Sequence, residues 1–248
     1  MYNLNNITPE DAAEIGDVLR TPGAGASSME EVADRTVRYL CSNLGDDTSG
    51  RRSCVLTRFF KTEPYGNLPS HLQDFTRDAL GTSSVPQDTS CLTLLATVGD
   101  KADWNSRARS SRYKVIPLSD EKAVAEIPMM FQLIHQFGIE VSEVVHPDPS
   151  LIVDLEQKTY NTFYVSEAIG SPYIPAQEEF VIPYGIRSVL GFGGILMSGA
   201  FFAIVLFSKT PIPRETAESF KTLAPNIKQA VLPFVGGAIF ERSSNPAP

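Results

Sequence analysis

The sequence predicts an α+β domain with a mainly antiparallel central sheet of about six strands, helices on its faces, and the terminal helices packed together. Three observations carry this. The candidate strands follow one another through hairpin turns, not through regular helical crossovers. The first and last strong helices each carry one apolar stripe, so both can be buried on one side of a sheet. The stretch between Arg187 and Lys209 holds no charged residue and divides at Ser198-Gly199 into two strand-length halves.

Residues 1–26 mix acidic positions with Thr21-Pro22-Gly23-Ala24-Gly25 and read as a flexible arm and linker. The main domain is expected over 27–235, and 236–248 as a mobile tail. Ser28 and Glu31 form a capping box ahead of Met29, Val32, Ala33, Thr36, Val37, Leu40, Cys41 and Leu44 at helical spacing. Val55–Phe60 is a strand, with Cys54, Leu56 and Arg58 expected on one side and Val55, Thr57 and Phe59 on the other. A helix runs from about Pro69 to Leu80 and stops at Gly81. Cys91–Val98 and Tyr113–Leu118 are the next strands. Asp120 caps a helix that Pro128 bends or breaks and Gly138 closes. Val141–Val145 fits helix or strand, and Leu151–Gln157 one or two helical turns. Thr162–Val165 is a strand, Gln177–Ile182 a short helix, and the closing helix carries Ala217, Phe220, Leu223, Ala224, Ile227 and Val231, kinked at Pro225.

Nineteen uncharged, mostly apolar positions from Val189 to Phe207 are long enough for a membrane helix. Gly191, Gly193, Gly194 and Gly199 within it, and the β-branched and aromatic residues of Phe201–Phe207, favour two buried strands instead. The N-terminus has no apolar block and is not a signal peptide. With 29 acidic against 21 basic residues, the net charge is −8, which speaks against nucleic acid as a partner. The three cysteines, Cys41, Cys54 and Cys91, are widely spaced. They form no disulfide framework and suit a reducing cytoplasm.

The run Glu178-Glu-Phe-Val-Ile-Pro-Tyr-Gly-Ile-Arg-Ser-Val-Leu, the Gly-rich strand, the Ser-Gly turn, Phe-Phe-Ala-Ile-Val-Leu-Phe-Ser and the last helix resemble the C-terminal half of a GAF-type sensory domain. A longer resemblance is to GAF-like regions N-terminal to PAS, histidine-kinase or cyclase modules in bacterial signalling proteins. It includes Trp104-Asn105, Ile116-Pro117-Leu118, Gly170 to Glu178 and Pro183 to Gly194, and spans roughly residues 28–234. The resemblance implies a cytoplasmic sensory domain with a six-stranded antiparallel sheet and a ligand pocket between the sheet and an irregular lid. No kinase, cyclase or DNA-binding segment follows the matched region. Output is therefore expected through a partner, or from a longer protein of which this is the sensory part. Pairing of the terminal helices between copies implies a homodimer.

Two groups of residues are candidates for binding. Residues 99–114 hold Lys101, Arg107, Arg109, Arg112 and Lys114 with Trp104 and Tyr113 interleaved. Arginine forks suit phosphate or carboxylate, and an aromatic face stacks on a ring. The segment fits a small anionic ligand or an acidic partner surface, and equally a solvated loop. The second group is Tyr160, Tyr164 and Tyr173 with Glu178, Tyr184 and Arg187, in a region that Pro172, Pro175 and Pro183 stiffen. It reads as a pocket wall or as a proline-braced cover.

No cofactor is identified by these residues. His71, His135 and His146 lack metal-ligand spacing, and no Cys-His pair of the bilin-attaching kind occurs. Gly191-Phe-Gly-Gly lacks the Lys-Ser/Thr of a phosphate loop. The expected function is a non-catalytic sensory domain that relays a small ligand or signalling partner through its terminal helices. The alternatives are a protein-interaction module with a self-filled pocket, or a thiol redox enzyme.

Overall fold

The computed structural model describes residues 1–46, 50–110, 113–148, 150, 154 and 158–241. The sheet contains β1 (Cys54–Pro64), β2 (Ser90–Gly99), β3 (Val115–Leu118), β4 (Phe163–Val165), β5 (Ser188–Ile195) and β6 (Phe201–Ser208). Their order across the sheet is β3-β2-β1-β6-β5-β4, every neighbour antiparallel. Helices are α1 (Pro9–Leu19), α2 (Met29–Asn43), α3 (Ser70–Leu80), α4 (Glu121–Ala125), α5 (Pro128–Phe137), α6 (Val141–Val145), α7 (Arg214–Ser219) and α8 (Ala224–Val231).

The uncharged run folds as the β5–β6 hairpin, paired from Ser188–Ser208 to Ile195–Phe201 and buried throughout. Gly199 N–H bonds the Leu196 carbonyl, and Gly199 adopts φ +78° to turn the chain. Gly193 is required by close approach, because a Cβ there would lie 2.1 Å from the Phe202 carbonyl oxygen. Among the described residues no helix is long and apolar enough to cross a membrane.

The sheet separates two cores. On its helical face α1, α2, α7 and α8 bury Leu40, Phe59, Phe192, Phe202, Phe220 and Ile227 in one cluster. On its other face α4–α6 and the irregular lid bury Phe60, Leu94, Phe137, Phe163, Val189 and Phe201. The apolar stripes of α2 and α8, expected to support pairing between copies, are filled within one chain.

Residues 1–26 are not a flexible arm. Thr8 and Asp11 close a reciprocal capping box on α1, and Leu4, Ile7, Ala12, Ile15 and Leu19 are buried with α8. The acidic residues that suggest a solvated arm lie on the outer face of that helix. The tail is likewise docked as far as it is described. Met29 and Glu30 N–H groups, unpaired within α2, bond the carbonyls of Ala238 and Ile239, and Glu241 N–H bonds the Glu30 carboxylate. The described parts of 1–26 and 236–241 thus pack on the same core as the rest of the chain. Residues 242–248 and most of Leu151–Gln157 lie outside the described residues.

Smaller differences have local causes. A bulge between Cys54 and Leu56 turns Cys54 to the helical face, while Arg58 stays with Leu56 on the lid face. Ser28 caps α2, but the Glu31 carboxylate reaches the N–H and hydroxyl of Ser27, not of Ser28. Pro128 and Pro225 each start a new helix (α5, α8), where a missing N–H costs nothing.

Candidate functional site

The lid runs from β4 to β5. Ala176 turns it at φ +58°, and Val181 and Ile182 N–H groups then bond carbonyls five residues back, making a wide turn over Gln177–Val181. Gln177 staples the loop. Its amide donates to the carbonyls of Ala168 and Ile174, and its oxygen accepts from Gly170 N–H. Sequence reading assigned Gln177 only to a short helix, since its partners are all backbone atoms of a non-repeating loop.

The wide turn places Phe180 and Tyr184 against Trp104, at ring-centroid distances of 5.4 and 4.8 Å, and Phe180 stands edge-on to Phe207 of β6 at 5.1 Å. The Lys101 ammonium lies 4.9 Å from the Tyr184 ring and 5.5 Å from that of Trp104. Trp104 itself is held by a 3₁₀ turn, Ala102–Asn105. The Asn105 amide bonds the carbonyls of Gly99 and Lys101, and its oxygen accepts from Gly99 N–H. The two candidate groups thus meet at one place, through Trp104 and Tyr184.

The other candidates are elsewhere. Arg107 reaches the opposite face, where its Nη2 lies 2.6 Å from Glu30 and its guanidinium 5.4 Å from the Phe240 ring. Tyr164 points to the helical side, its hydroxyl bonded to the Ile212 carbonyl. That position follows from strand alternation, with Phe163 and Val165 on the lid face. Arg109, Tyr173, Glu178 and Arg187 are exposed. Arg112 lies outside the described residues.

Sequence reading missed Arg58 as a site residue. It stands mid-strand on the lid face of β1, half-buried, with its guanidinium 6.0 Å from the Tyr113 ring. Burial lowers its pKa to about 10, so it remains cationic at neutral pH. An arginine at an inward position of a central strand was the available signal.

All three thiols are buried. Burial pushes Cys91 up to about 12 and raises Cys54 and Cys41, the latter despite Arg52 Nη1 at 3.8 Å from its Sγ. Such thiols stay protonated at neutral pH and are poor nucleophiles. A separate groove of about 420 Å³ opens beside the β5–β6 turn, lined by Lys158, Tyr160, Met197, Lys221, Lys228 and Leu232 among others.

The six-stranded antiparallel order, the irregular lid on one face and the helices on the other are the arrangement that the sequence resemblance to GAF-type domains implies. No protein-family model and no curated protein matches the chain. Among solved structures it is similar to a free methionine-R-sulfoxide reductase from Neisseria meningitidis (14% identity, TM-score 0.46, covering 95% of this chain and 99% of that one). It is similar also to the phycoerythrobilin-bound GAF domain of a cyanobacterial phytochrome (10%, 0.39, covering 90% and 97%). A third is the photosensory core module of the Stigmatella aurantiaca phytochrome (9%, 0.38), of which the chain spans 37%. These likenesses add nothing about ligand or activity.

Proposed function

We propose that this chain is a non-catalytic regulatory domain in which occupancy of the lid face is relayed to the terminal segments of the fold. The observation that carries this reading is the two-ended contact of the segment after β2. At one end Trp104 packs on the lid residues Phe180 and Tyr184. Three residues on, Arg107 pairs with Glu30 at the start of α2 and stacks near Phe240 of the C-terminal segment. A ligand that moves the lid pulls on a short turn whose other end holds the helical face.

Such a relay needs a ligand with different affinities for the two lid positions; each 1.4 kcal/mol of difference shifts the populations about tenfold. The test is a thermal-denaturation panel of nucleotides, haem, tetrapyrroles and small organic acids on the purified protein, with native mass spectrometry for co-purifying molecules. A stabilising compound whose effect is reduced in Trp104→Ala is the expected result. Stabilisation unaltered by that substitution overturns the relay.

One observation favours a second reading, a protein-interaction module with a self-filled pocket. Lys101 already occupies the aromatic corner that a cationic or flat ligand would use. In that case no small molecule in the panel stabilises the fold, and Lys101→Ala leaves stability to all of them unchanged.

A further inference from the structure

Arg58 lies opposite Thr97 of β2 and Val205 of β6, in the middle of the lid face. Its Nε and the Thr97 hydroxyl are both buried without a hydrogen-bond partner among the described residues. Thr97 is 1% exposed. Among the described residues no carboxylate pairs with Arg58, and Tyr113 is the titratable group that acts on it. The contrast along the same strand is direct. Three residues further, Lys61 is buried on the opposite face with the Glu63 carboxylate beside it. Among the described residues the buried Lys61 therefore has a counter-ion and the half-buried Arg58 has none.

Across the sheet the row of Arg58 runs Thr97, Arg58, Val205, Gly191 and Phe163, so its immediate strand neighbours are Thr97 and Val205. The cover is Tyr113, 39% exposed and held at φ +61°, a costly conformation for a tyrosine. Two residues along β1, about 7 Å away, Leu56 stands opposite Phe207, on which the Trp104–Phe180–Tyr184 corner rests.

We propose that Arg58 and Thr97 form the oxyanion subsite of a ligand site on the lid face. The ligand is a small carboxylate or phosphate whose flat or apolar body points toward Trp104 and Phe180. A guanidinium presents a fork of N–H donors that matches two oxygens of such a group, and the Thr97 hydroxyl adds a third donor. This deepens the regulatory reading by naming the ligand chemistry, and rests on that reading only for what binding accomplishes.

The experiment uses the full chain in chloride buffer at constant ionic strength. Benzoate, its uncharged isostere benzamide, and inorganic phosphate are added while the Arg58 Nε–H resonance and the Tm are followed. The expected result is that benzoate or phosphate moves the resonance and raises the Tm, and benzamide does neither; which of the two acts identifies the oxyanion. Arg58→Met abolishes the effect while its ligand-free Tm equals or exceeds that of the wild type, because an uncompensated cation has been removed. Arg58→Lys, which keeps the charge but not the fork, weakens binding at least tenfold.

Neither anion moving the resonance, or an equal anion effect in Arg58→Met, overturns the subsite. Anion binding with no altered exchange at the Met29 and Glu30 amides leaves the subsite standing and sinks the relay. Stabilisation by another, uncharged compound without any anion effect does the reverse.

Discussion

The two faces of the sheet are built differently. The helical face is closed by helices, of which α1 and α2 are capped by the Thr8 and Ser28 side chains, and its large residues, Phe59, Phe192, Phe202 and Phe220, are fully buried. The lid face is closed by α4–α6 together with an αL residue, a wide turn and proline-braced loops, and it retains a half-buried cation and a buried hydroxyl that lack partners among the described residues. Both faces bury large rings, Phe137, Phe163 and Phe201 on the lid side. Both also hold buried polar atoms without a partner among the described residues, Thr36, Thr57 and Arg107 Nη1 on the helical side and Arg58 Nε and Thr97 on the lid side. The difference lies in the cations, since Arg107 pairs with Glu30 and Arg58 with no described carboxylate. Functional surfaces tend to lie where local rules are broken and the surrounding structure compensates.

Substitutions that respect this contrast are expected to rank accordingly. Phe192→Ala removes a fully buried ring packed 5.7 Å from Phe220 and is expected to cost about 3–5 kcal/mol in urea denaturation. Gly193→Ala forces a methyl against the Phe202 backbone and is expected to cost about 1–3 kcal/mol. Trp104→Ala, half-buried on the lid, is expected to cost about 1–2 kcal/mol, since two aromatic contacts are lost but little core. A larger loss at Trp104 than at Phe192 would erase the distinction between the faces. Asp11→Ala, which removes one half of the α1 capping box, is expected to cost about 1 kcal/mol.

The smallest effect expected is one of pH. The N–H and hydroxyl of Ser27 hold the Glu31 carboxyl below its ordinary value of 4.5. A depressed folded-state pKa stabilises the fold above that ordinary value, and the stabilisation is lost as pH falls through the lower one. Ser27→Ala is therefore expected to leave a shallower acid-side decline in Tm; an unchanged acid limb would contradict the assignment.

Much of the fold was legible in the sequence because it is written in local codes. Two-residue periodicity, the Ser198-Gly199 turn and the proline positions locate the strands and the helix breaks directly. The N-terminal helix was misjudged because its charges outweighed a genuine capping signal, Thr8-Pro-Glu-Asp, and an Ala12-Ile15-Leu19 stripe. The facing of Cys54 was lost to a bulge, which period-two counting does not register.

The site was less legible. Trp104 and Tyr184 were each recognised, but their contact depends on a wide turn at 177–181 that no propensity encodes. Arg107 was read as a ligand fork, yet its partner Glu30 lies 77 residues away in sequence. The significance of Arg58 is that no described carboxylate pairs with it, a fact of three dimensions only.

The central claim is that the turn from Trp104 to Arg107 couples the lid to the terminal segments. It is tested most directly by amide hydrogen exchange at Met29 and Glu30, whose N–H groups are bonded to Ala238 and Ile239. Trp104→Ala is predicted to speed exchange at these two amides while those of the β5–β6 hairpin keep their protection. Unchanged exchange at Met29 and Glu30, or an equal increase in the hairpin, would contradict it.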